Sequence, residues 1–214
     1  MRLERMTAVV VLAAGLVLGG VAVAAPPDDK APIDAPVPAR GMKAPMQPAQ
    51  PKPVELGPEH KFLGGFGGHW KTTVHIMPAD PSTPGQDTEG TADGKLLMGG
   101  RFVQLMHAGL LNGQPFEGMM LCGFDIVVKR YRSIWVDNVG TAITQYVGTY
   151  DESKKQLTMS SQAYSDEKTK KLTIARTVMT FVDANTMVYD EYISNAVGGK
   201  EFHTMSITYK RATA

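Results

Sequence analysis

The sequence predicts an all-β domain: a single closed, or nearly closed, antiparallel up-and-down barrel of about ten strands, preceded by a proline-rich segment. Three observations predict it. Runs with period-two alternation, rich in Val, Ile, Thr, Tyr and Met, recur roughly every 10 to 15 residues between His69 and Arg211. Turn-forming residues separate consecutive runs. A meander of that length would expose two unpaired edges, and closing the sheet on itself removes both.

The predicted strands are 69–77, 86–93, 101–109, 115–123, 130–138, 142–150, 156–164, 171–182, 186–194 and 201–211. Their connectors make chemical sense. Asn112-Gly113 tolerates the positive φ of a type I′ hairpin turn. Asp151 to Lys155, Asp183-Ala184-Asn185 and Gly198-Gly199-Lys200 read as further tight turns. The basic clusters Lys129-Arg130-Tyr131-Arg132 and Lys168-Thr169-Lys170-Lys171 read as solvated turns. A helix is expected only at Pro58 to Leu63, ahead of the first strand.

Closure makes a specific demand. With an even number of antiparallel strands, first and last lie side by side in opposite directions, so Trp70 and Arg211 meet at one end. The guanidinium can stack on the indole there and satisfy local carbonyls while the ring plugs the base. If Trp70 points inward, Thr72, Val74 and Ile76 follow it and His75 faces out. The same alternation puts Met205, Ile207 and Tyr209 inside, with His203 near the open end. Met187, Tyr189, Glu191 and Ile193 share one face of their strand, and Ile174, Arg176 and Val178 share one face of theirs. The expected lumen is therefore methionine-rich and apolar, with Arg176, Tyr189, Glu191, His203 and Met205 as candidate ligand contacts.

The flanking sequence points to export. Two arginines in Met1 to Arg5 precede an apolar run from Ala8 to Val21 that ends in Ala22-Val23-Ala24, the small-x-small pattern of a signal-peptide cleavage site. Residues 1–24 are thus read as a signal peptide, with periplasmic or secreted destination and no stable membrane span after cleavage. The rival reading is an uncleaved inner-membrane anchor, since the run, at about 18 residues, approaches the minimum for a bilayer span. Residues 25–56 form a Pro/Ala-rich linker; positions 26–53 hold 9 of the 14 prolines. Such a segment buries too little apolar surface to offset its ordering entropy. The barrel domain is assigned to 57–214. The lone cysteine, Cys122, forms no internal disulfide and sits in an apolar run, as a buried small hydrophobe would. A net charge of +1 argues against nucleic acid as partner.

A Gly-x-Trp strand start with a terminal arginine resembles the signature of the calycin superfamily, the lipocalin-like barrels. The resemblance then sharpens along the domain, through Gly57 to Lys61, Gly68-His69-Trp70, Gly99-Gly100-Arg101-Phe102, Pro115-Phe116-Glu117-Gly118, Gly123-Phe124-Asp125 and Trp135-Val136-Asp137. Gly148-Thr149-Tyr150-Asp151, Leu157-Thr158-Met159, Gly199-Lys200-Glu201-Phe202 and Ile207 to Arg211 complete it. As a set, residues 57–211 resemble the bacterial family called domain of unknown function 1579, with Gly-Phe-Asp in place of its usual Gly-Tyr-Asp. The resemblance implies a calycin-like barrel and supplies no catalytic residues.

Four functional readings follow. The first is a binding module whose expected partner is a small apolar or lipid-like ligand; in it Arg176 and Tyr189 hold a carboxylate, and methionines form an adaptable wall. A haem or metal protein using His203 or His107 as ligand is the second. An enzyme using Glu191 with His203 is the third, although Gly-x-Ser-x-Gly, His-Glu-x-x-His and phosphate-loop motifs do not occur. The fourth is a ligand-free envelope interaction module whose barrel is filled by side chains, with Arg176 paired to Glu191. No cofactor and no metal site are expected. Oligomeric state is not legible.

Overall fold

The structure is a computed structural model that describes residues 52–78, 82–164, 172–195 and 199–212. A short helix, α1 (Pro58–Leu63), continues into a 3-10 turn (Gly64–Phe66). Ten strands follow: β1 (Gly68–Ile76), β2 (Gln86–Leu97), β3 (Phe102–Leu111), β4 (Gln114–Asp125) and β5 (Arg130–Asp137), then β6 (Thr144–Asp151), β7 (Gln156–Tyr164), β8 (Leu172–Asp183), β9 (Thr186–Ser194) and β10 (Phe202–Arg211). Each pairs with its chain neighbour, and β1 also pairs antiparallel with β10, so the sheet is a closed up-and-down barrel. Residues 1–24, read from the sequence as a signal peptide, residues 25–51 of the expected linker and the Lys168 cluster lie outside the described residues.

The hairpins follow local chemistry. Asn112 and Gly113 both have positive φ, 51° and 76°, which the β3–β4 turn requires. At the β4–β5 turn the Asp125 carboxylate accepts the backbone N–H groups of Val127 and Val128. Asp151 does the same for Ser153 and Lys154 between β6 and β7, and Asp183 for Asn185 between β8 and β9. These are Asx turns: a short carboxylate stands in for a carbonyl and reverses the chain. Of the first basic cluster only Lys129 belongs to the turn; Arg130 to Arg132 open β5, with Tyr131 buried.

Trp70, Thr72 and Ile76 are buried, as are Ile207 and Tyr209 on the adjoining β10. Below them α1 closes the barrel with aromatic rings. Phe62 lies 4.0 Å from Tyr150, 5.0 Å from Phe181 and 5.3 Å from Tyr131, centroid to centroid. Leu63 and Phe66 are fully buried. The 3-10 turn approaches β2 so closely that a Cβ on Gly94 would stand 1.9 Å from the Phe66 carbonyl oxygen, so only glycine fits there.

Trp70 and Arg211 are register partners across the β1–β10 seam. The Arg211 guanidinium carbon lies 4.0 Å from the Trp70 ring centroid. Its N–H groups donate to the carbonyls of Gly65, Gly67 and Ala184, while the indole N–H donates to Phe66 at 3.0 Å. One arginine therefore ties the helical plug, the β8–β9 turn and the seam together.

Candidate functional site

Above this floor the barrel is hollow. A cavity of about 1090 Å³ opens at the end opposite α1. Phe66, Leu105, Leu157, Met159, Met179 and Tyr209 form its bottom, and Met120, Trp135, Met205 and Ile207 belong to its apolar wall. Glycine makes room for the largest of these. A Cβ on Gly118 would come within 2.4 Å of the Trp135 ring, so the bare backbone lets the indole lie along the wall. The Trp135 N–H donates to Asp137 at 2.8 Å, which holds the ring in place.

The polar groups of the lumen fall in two sets. Glu191, Tyr189 and Tyr146 form the first. The Thr204 hydroxyl donates to Glu191 Oε2 at 3.0 Å. Burial raises the Glu191 pKa, opposed by that hydrogen bond. Tyr189 and Tyr146 are also raised, first by burial and then by the nearby Glu191 charge, which places the three groups within electrostatic reach of one another. All three residues line the cavity. Ser161 also lines it, and among the described residues its buried hydroxyl has no hydrogen-bond partner.

His107 stands in the second set, its ring edge-on to Trp135 at 5.3 Å and to Tyr209 at 5.7 Å. Burial among these rings disfavours the imidazolium and lowers its pKa to about 4. The lumen histidine is neutral at physiological pH. Cys122, in the floor, has its thiol pushed up to about 12 by burial, so it is no nucleophile.

Three of the sequence-derived candidates, Tyr189, Glu191 and Met205, lie on the cavity wall. Arg176 does not, and its expected place on the inner face is corrected. The inner face of β8 is Thr173, Ala175, Thr177 and Met179, so Arg176 points outward. There it pairs with Glu201 through Nε and Nη2, at 2.9 and 2.7 Å, and covers the Tyr192 ring at 4.1 Å. Its partner is thus Glu201 and not Glu191. The physical reason is that a hollow lumen tolerates Thr and Ala, while Ile174 and Val178 cover the outside, so hydrophobicity ranks the two faces in the wrong order.

His203 is corrected in the same way. It borders the cavity mouth, yet its ring stacks on the outward Tyr192 at 4.7 Å and its Nε2 meets Asp190 at 3.0 Å. A register shift between His203 and Met205 inserts one residue, which turns His203 out and leaves Thr204 beside Glu191. Trp135, Tyr146 and Ser161 were not singled out from the sequence. The period-two phase of their strands is the signal that places them, once the direction of one residue per strand is known.

Among known structures, Rv2717c from M. tuberculosis matches with a TM-score of 0.51 at 13% identity, over 74% of this chain and 100% of that one. The S-type phycobiliprotein lyase CPES from Guillardia theta matches at 0.47 and 10% identity, over 72% and 92%. A redesigned β-barrel matches at 0.37 and 12% identity, over 71% and 95%. At these identities the likeness is one of fold. No curated protein matches the chain. The model of one protein family matches residues 55–211, and the chain therefore belongs to that family, described as protein of unknown function (DUF1579).

Proposed function

We propose that this chain is an exported binding protein whose barrel holds one small apolar or amphipathic molecule. The observation that carries the reading is the cavity. About 1090 Å³ of open, mostly apolar space is as large as typical small-molecule sites, and a few polar side chains converge on it. A side-chain-filled interaction module has no use for such a void, since empty apolar volume destabilises a fold in proportion to its size. Export is supported by the arginine-flanked apolar run and Ala22-Val23-Ala24.

The test uses the full chain, expressed with its own leader and recovered from the periplasm. Native mass spectrometry should give the mass of the chain lacking residues 1–24, with a stoichiometric small molecule attached. N-phenyl-1-naphthylamine, an uncharged apolar probe, should bind to stripped protein and quench Trp135, with Trp135→Phe removing that signal. Ala175→Trp fills the lumen from a small wall residue and should abolish probe binding while leaving the circular dichroism spectrum unchanged. A bare polypeptide that neither retains a molecule nor takes the probe would overturn the reading. A Soret band lost in His107→Ala would replace the apolar ligand with haem. Retention of residues 1–24 in a membrane fraction would replace the exported form with an anchored one.

A further inference from the structure

The lumen is unbalanced in charge, and this bears on which amphipathic molecule it accepts. Among the described residues, its charged side chains are Glu89, Glu191, Glu201 and Lys200. Lys200 is exposed and leans on Phe202, 5.3 Å from its ring. Glu201 is tied to Arg176 outside the barrel. Arg176 and Arg211 are both committed elsewhere, Arg176 on the outer face and Arg211 beneath the floor. His107 is uncharged. Glu191 thus stands deep in the wall with no cation opposite it.

A carboxyl group in such a place is disfavoured as an anion unless a positive charge joins it. The ion-pair rule therefore runs against a fatty-acid carboxylate, which would bring a second negative charge to a site without an arginine. It runs in favour of an ammonium. An alkylammonium has three N–H donors, and Glu191, Tyr146 and Tyr189, which all line the cavity, carry oxygen acceptors for it. The Thr204 hydroxyl donates to Glu191 Oε2, so the carboxylate is positioned from the β10 side. The tyrosine rings, with Trp135 and Phe116 nearer the mouth, supply the aromatic faces that attract cations, while the methionines below suit an apolar tail.

We infer that the ligand is a cationic amphiphile, an amine on an apolar body, whose ammonium is held by Glu191, Tyr146 and Tyr189. This inference rests on the binding reading above and specifies the ligand class of the same cavity.

The experiment compares decylamine, decanol and decanoate, equal in chain and different in charge, as competitors for N-phenyl-1-naphthylamine on the stripped full chain at pH 7. An alkylamine remains protonated there, as lysine does. Decylamine should displace the probe at a concentration about tenfold lower than decanol, since one well-made charged contact is worth about that factor. Decanoate should be the weakest of the three. Glu191→Gln keeps the shape of the side chain and should erase the advantage of decylamine over decanol, with a circular dichroism spectrum and unfolding midpoint reporting that the variant is folded. Tyr189→Phe should remove part of that advantage. Decanol matching decylamine, or decanoate binding best, would overturn the amine assignment and leave the binding reading standing. Failure of the probe itself to bind would overturn both.

Discussion

The two ends of this barrel are built from the same strands with the same alternation, yet one is solid and the other hollow. At the α1 end, Phe62, Phe66, Tyr131 and Phe181 interlock edge to face with Tyr150 tilted against Phe62, and Arg211 binds the plug to the seam. At the other end, Thr144, Ser161, Thr173 and Thr177 occupy positions where large apolar side chains would meet across the lumen. The difference teaches where stability and recognition are placed. Dense aromatic packing at one end supports a wall at the other that is left underfilled, polar in spots and open to a guest. Changes at the floor should therefore affect folding, and changes in the wall should affect ligand choice.

The largest expected effect lies at the floor. Trp70 is 1% exposed, and its indole packs against Arg211 and Tyr209 while donating to Phe66. Trp70→Ala removes that volume and frees the Phe66 carbonyl, so it should cost about 3–5 kcal/mol. Guanidinium unfolding checks this through the shift in midpoint. A loss below about 1 kcal/mol would mean that α1 is not the structural plug.

The wall should show itself through pH. The native His107 pKa is lowered to about 4 from an ordinary 6.5, so below pH 6.5 the unfolded chain binds more protons than the folded one. Stability from this group is complete above pH 6.5 and is lost as pH falls toward 4. The loss is at most about 3 kcal/mol, since the ring keeps some surface toward the cavity. Glu191 acts with the opposite sign. Its native pKa is raised, so the folded state holds the proton longer, and stability declines as pH rises above the ordinary glutamate range. Unfolding midpoints measured between pH 4 and 8 should flatten on the acid side in His107→Gln and on the neutral side in Glu191→Gln. Parallel profiles for wild type and both variants would mean that neither group is desolvated in the wall.

The contrast between the two ends also explains what was legible in the sequence. The ten strands, the helix at Pro58 to Leu63 and the meeting of Trp70 with Arg211 follow from local alternation, turn residues and strand parity, none of which depends on distant packing. At the floor the Trp70–Arg211 meeting was legible from strand parity, whereas Tyr131, read as part of a solvated turn, is buried against Phe62. The wall is not legible, because a hollow lumen inverts the rule that apolar residues point in on β8, where Thr173, Ala175 and Thr177 line the cavity and Ile174 and Val178 do not. The inserted residue between His203 and Met205 is likewise invisible to period-two counting, and it moves His203 from the inner to the outer face. Tyr189 and Glu191 were placed by phase because β9 carries no such shift before them.

The smallest effect should come from the outer surface, and it separates the two faces most cleanly. Arg176 makes a bidentate pair with Glu201 and covers Tyr192, but both charged side chains are about one-third exposed. Solvent screens such a pair, so Arg176→Ala should cost less than about 1 kcal/mol in unfolding midpoint. It should leave N-phenyl-1-naphthylamine binding unchanged, because the guanidinium never enters the lumen. Glu201→Gln should behave alike, and the double variant should be little worse than either single one, since each change breaks the same contact. A tenfold loss of probe affinity in Arg176→Ala would mean that the arginine turns inward when the cavity is occupied, and that outer and inner faces of β8 exchange roles on binding.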